Sequence, residues 1–159
     1  MEGRLMMREE KVTINILNWL ESNGWEIICY DFPQSGTGVL LHPNSEENRT
    51  AKNKGGIIPD IIAVKNKYAL YFENKDRFYE PDFNKLFLLR TEQNYSNSLS
   101  QLLKGHNVEV LYYGVAISDV EKEIKKSKLH LEKIQFLIST NEEKNITIHY
   151  DAEGIFTET

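Results

Sequence analysis

Only one cysteine, Cys29, occurs in the sequence, so no disulfide can form within the chain. That usage fits a reducing compartment, and the cytoplasm is the expected location. Histidine is also sparse: His42, His106, His130 and His149 are scattered, with no Cys/His cluster spaced for a zinc site. Long apolar runs are missing. Stretches such as Val108 to Ile117 fall far short of the ~20 residues that a membrane helix requires, so no membrane partner is expected. The charged opening MEGRLMMREEK lacks the apolar centre of a secretory signal. With 9 glycines, 4 prolines and no repeat, the composition is not that of a linker or fibrous chain. Positive charge is in deficit: 19 Lys and Arg face 24 Asp and Glu, a net −5, which argues against indiscriminate nucleic-acid binding by the whole surface.

What is present reads as one globular domain over residues 1–159, long enough to bury roughly 70% of its unfolded surface. Charge is uneven along it. From Arg49 to Arg90 there are nine Lys/Arg against five Asp/Glu, whereas the remainder holds ten against nineteen. Periodicity predicts a helix over 7–23, closed by Asn23-Gly24, then a strand over 25–32 stopped by Pro33. A turn over 34–38, a short strand at 39–41 and a polar loop over 42–56 follow. Strands over 57–64 and 68–73 flank a tight Lys65-Asn66-Lys67 turn. A helical stretch runs from Pro81 to about Lys104, with a break near Asn94. Residues 108–117 are a strand apolar enough to be buried on both faces. Ser118-Asp119-Val120-Glu121 has capping-box spacing, which predicts a helix toward Ile138, and 146–156 reads as a terminal hairpin. The fold class expected is α/β: a central mixed sheet flanked by helices.

The unusual segment is GIIPDIIAVKNKYALYFENKDRF, residues 56–78, where three ionisable groups stand at the edges of apolar runs. Glu73 and Lys75 share a strand face, roughly 7 Å apart. A short hairpin places Asp60 beside Glu73, and two carboxylates that close repel unless a cation sits between them. A hard divalent ion such as Mg²⁺, with Mn²⁺ as a substitute, resolves the conflict while keeping waters and places for phosphate oxygens. Lys75 would orient or deprotonate the attacking water, or offset charge on phosphorus. Glu-x-Lys alone means little, because it recurs at Glu9/Lys11, Glu123/Lys125 and Glu142/Lys144. The first and third lie on predicted helices, where i and i+2 do not share a face. A second Pro-Asp, Pro81-Asp82, has no such strand after it. Only 59–75 joins both halves.

Pro59-Asp60, twelve intervening residues and Glu73-Asn74-Lys75 resemble the motif of the PD-(D/E)xK nuclease superfamily, which includes type II restriction endonucleases and Holliday-junction resolvases. Element order over about 7–117 is similar to its restriction-endonuclease-like αβββαβ core. The remainder, 118–159, would then be a supporting or dimerising helix and hairpin. The resemblance implies Asp60 and Glu73 as metal ligands and Lys75 as the water-activating or charge-stabilising group. Many members add a first-helix glutamate. Its place here falls near Thr13, so Glu9 or Glu10 is the candidate substitute.

Other residues are candidates for double-stranded DNA. Gln34 and Ser35, in the turn, would offer polar groups to a phosphate. Lys52 and Lys54, with Arg49, precede the Asp60 strand, and Arg77 follows the Glu73 strand; all could meet the backbone. Lys85 and Arg90 read as helix-surface charges. The function expected is a Mg²⁺-dependent endonuclease, most like a small type II restriction enzyme acting as a homodimer. The alternatives are a structure-selective nuclease such as a junction resolvase, or a non-cleaving DNA- or protein-binding module with the nuclease fold.

Overall fold

A computed structural model of the chain describes residues 7–32, 37–45 and 55–156. The candidate DNA contacts Gln34, Ser35, Arg49, Lys52 and Lys54 lie outside the described residues. The first helix, α1 (Glu9–Ser22), buries Val12, Ile16 and Leu20 along one side. It ends where the sequence expects, with Gly24 at a left-handed φ of 87° and the Trp25 N–H donating back to the Leu20 carbonyl. Three strands follow: β1 (Glu26–Tyr30), β2 (Ile61–Lys65) and β3 (Tyr68–Lys75). The turn between β2 and β3 is tight because Asn66 accepts a φ of 57°. Then come α2 (Glu80–Glu92), α3 (Ser96–Leu102) and β4 (Val110–Ser118). The break between the two helices falls at Gln93, which is also left-handed. The chain closes with α4 (Glu121–Lys128), a single 3-10 turn (Leu131–Lys133), β5 (Phe136–Thr140) and β6 (Ile146–Asp151).

The six strands form one mixed sheet in sequence order. Pairs β1/β2, β2/β3 and β5/β6 are antiparallel, whereas β3/β4 and β4/β5 are parallel. The αβββαβ order expected for 7–117 is present. Parallel neighbours need crossovers, and these are supplied by α2 with α3 and by α4 with the 3-10 turn. Both crossovers share one face, where Phe83, Leu86, Leu89 and Ile124 pack on Tyr71, Val115 and Leu137. On the other face Val12, Ile16 and Leu20 of α1 pack on Leu70, Phe72, Ala116 and Ile138. The central strands are therefore apolar on both sides.

Four expectations are corrected. Residues 136–140 are not the end of a helix but β5, every residue of which is buried. The apolar spacing of Ile124, Leu131, Ile134, Leu137 and Ile138 imitates a helix face because a doubly buried strand has no polar alternation. The last hairpin is formed by β5 and β6, so 155–156 is a turn rather than the returning strand. Leu41 makes only an isolated bridge to Ile57 in place of a strand over 39–41. Regular pairing of the second strand begins at Ile61, which leaves Asp60 just ahead of it.

Candidate metal and phosphate site

Register places the carboxylates. Ile61 pairs with Phe72, and the Asp60 N–H continues the ladder by donating to the Phe72 carbonyl at 3.2 Å. One step further along, Asp60 lies across from Glu73. Both side chains then take the sheet face of Ile62 and Tyr71, beneath α2. Asp60 is 9% exposed and Glu73 3%. Asp60 Oδ2 accepts the Asn74 N–H at 2.7 Å, which fixes the carboxylate against β3. The intervening Asn74 turns to the opposite face, where its Nδ2 donates to Thr13 Oγ1 at 3.0 Å and ties β3 to α1.

Lys75 ends β3, where the start of α1 and the start of α2 converge. Its Nζ lies 3.5 Å from Asp82 Oδ2, 3.9 Å from Glu9 Oε1 and 5.2 Å from the Tyr79 ring centroid. Lys85, on the first turns of α2, reaches Glu73 Oε2 with its Nζ at 2.9 Å. The contact is a close ion pair onto a buried carboxylate. Four carboxylates and two ammonium groups thus gather at the carboxyl ends of β3 and β4, the usual place for a site in a sheet with parallel strands.

Electrostatics follow from this crowding. Burial, and then the facing Glu73, push the Asp60 carboxyl up to about 8. Burial also raises Glu73; Lys85 opposes that rise and Asp82 adds to it. For Lys75, burial works against the charge, but Asp82, Glu9, Asp60 and Glu73 outweigh it and the pKa is raised. Asp82 is raised by burial against the pull of Lys75 and Lys85.

These residues fit a hard divalent ion with few protein ligands. Asp60 and Glu73 face each other from adjacent strands and both are buried, so two carboxylates share one poorly hydrated place that a cation would stabilise. Among the described residues no group of three or more His, Cys, Asp or Glu side chains is placed to hold a metal. An ion that takes one or two carboxylates and keeps its waters suits this set, as Mg²⁺ does; one needing a full protein cage does not.

Of the sequence candidates, Asp60, Glu73, Lys75 and Glu9 come together. Glu10 is exposed and stands apart. Arg77 is spent locally on Asp76, with Nη2 3.0 Å from Oδ2 and Nε 3.3 Å from Oδ1. Two members were missed. Lys85 is not a helix-surface charge, because the first turns of α2 lie over Glu73. Asp82, set aside for lack of a following strand, holds Lys75 instead. The signal was Pro81-Asp82 itself, which starts a helix six residues after Lys75.

No family model and no curated protein matches the chain. The crystal structure of an XisH family protein from Nostoc punctiforme PCC 73102 is similar over 87% of this chain and 95% of that one, at 18% identity and a TM-score of 0.39. So slight a likeness carries no assignment, and the site is read from its own geometry. No helix among the described residues is long and apolar enough to cross a membrane.

Proposed function

We propose that this protein is a divalent-cation-dependent nuclease that hydrolyses DNA phosphodiester bonds, most like a small type II restriction endonuclease. The observation that carries the reading is the buried Asp60 facing Glu73, with Lys75 at the end of the same strand. Pro59-Asp60 and Glu73-Asn74-Lys75, resembling the PD-(D/E)xK motif, give DNA as the substrate class.

In this mechanism Asp60 and Glu73 would hold the Mg²⁺. When bound, the ion supplies Lewis acidity toward the phosphate and the attacking water. Asn74 positions Asp60 through its backbone N–H, so the carboxylate is set before substrate arrives. Lys75, kept protonated by Asp82 and Glu9, presents a fixed positive charge to the developing negative charge on the phosphate oxygens. That favours charge stabilisation over proton abstraction as its role. Tyr79, exposed beside Lys75, shields one side of the ammonium.

The test is to incubate purified protein with Mg²⁺ and plasmid, phage or four-way-junction DNA. Discrete duplex fragments are expected. Symmetric nicking confined to junctions would instead mean a structure-selective enzyme, and DNA retention without cleavage a binding module. Asp60→Ala and Lys75→Ala should each lower cleavage by about a hundredfold or more. Full activity in either variant would remove this site from the reaction.

A further inference from the structure

Lys85 and Lys75 are engaged differently. Lys75 is flanked by Asp82 and Glu9, at 3.5 and 3.9 Å, and is held at the edge of the site. Lys85 instead comes down on Glu73 Oε2 at 2.9 Å, onto a buried carboxylate. Glu73 is almost wholly buried, whereas the Lys85 side chain is 33% exposed, so its flexible stem has a route to solvent. An ammonium and a divalent cation on one carboxylate oxygen repel strongly at such separations. A lone buried carboxylate, conversely, is costly without a cation.

We propose that Lys85 is the internal counter-ion of the metal-free site, which neutralises Glu73 until a divalent ion displaces it toward solvent. This rests on reading Asp60 and Glu73 as the cation site. Lys85 therefore competes with the metal: it lowers the affinity for the ion while supplying the counter-charge that the buried Glu73 needs in its absence.

Mn²⁺ is the probe, titrated in the absence of DNA, with the free ion followed by electron paramagnetic resonance. Lys85→Gln should bind Mn²⁺ on the order of tenfold tighter than the unmodified chain, the scale of one pKa unit of differential interaction. Asp60→Asn should bind it much more weakly. Equal or weaker binding by Lys85→Gln, with Asp60→Asn still impaired, would overturn the competition and leave the cation site standing. No Mn²⁺ uptake by the unmodified chain would remove the cation site, and the inference with it. A second measurement does not depend on a variant folding. Acetylation of Lys85 by an amine-reactive reagent, read by mass spectrometry, should accelerate when Mg²⁺ is added, while Lys122 and Lys125 on α4 do not change. A Lys85 rate indifferent to Mg²⁺ would equally overturn the proposal.

Discussion

At Asp60 burial and a facing carboxylate act together, which gives the metal-free protein an unusual pH dependence. Its carboxyl is pushed up to about 8 in the native chain, against ~3.9 when unfolded. Between those values the native chain binds more protons than the unfolded one, so stability falls as pH rises. Below ~3.9 both states are protonated and the penalty is absent; above about 8 both are ionised and it is complete. In chelator, the thermal midpoint should therefore drop from about pH 5 to about pH 8, and Asp60→Asn should flatten that drop. Glu73, raised in the same direction, retains part of the slope. A slope unaltered by Asp60→Asn would mean that Asp60 is ionised throughout. At this scale the placement of Asp60, Glu73 and Lys75 near one another was legible, because motif spacing and hairpin register depend on local chain geometry. Asp82 and Lys85 were not, because their roles depend on how α2 docks across the sheet. That docking is set by Phe83 and Leu86 in the core rather than by anything near the charges.

Among the elements, β4 and β5 make room for a bulky ring at a glycine. Gly114 pairs with Phe136, and a Cβ at Gly114 would lie 2.2 to 2.4 Å from the Phe136 ring. That ring is fully buried and packs against Phe72 and Phe156, so it has nowhere to yield. Gly114→Ala should destabilise the protein by about 1–3 kcal/mol, the usual cost of overpacking a core. Denaturant melts would check this, and a loss below about 0.5 kcal/mol would mean that β5 can shift at little cost. The same strand shows where sequence patterning fails. Helix α1 was readable because one side faces water and supplies a 3.6-residue rhythm. β5 lies between two layers, so its apolar residues carry no rhythm, and its five-residue length is too short to decide the matter. Its pairing with β4 instead depends on the α4 crossover, which no local pattern in 136–140 announces.

For the whole molecule, the proposed nuclease reading raises the question of how one site would serve two DNA strands. The described residues bring Asp60, Glu73 and Lys75 together in one place, and on the proposed reading that set would attack one strand at a time. The strands of a duplex are antiparallel and related by local two-fold axes, so a second chain placed by such an axis would present an identical site to the other strand. Net charge also bears on assembly. At −5 overall, with the positive excess confined to Arg49 to Arg90, two chains can share one duplex only if their basic regions face it and their acidic remainders point away. Double-strand cleavage should then rise with the square of protein concentration below the dimer dissociation constant, with little nicked intermediate. Added salt should slow it steeply as phosphate contacts are screened. The measurement is the ratio of linear to nicked plasmid across a protein dilution series at two salt concentrations. Linear dependence on protein, with nicked circles accumulating first, would show that the chain cuts as a monomer and would count against the restriction-like reading.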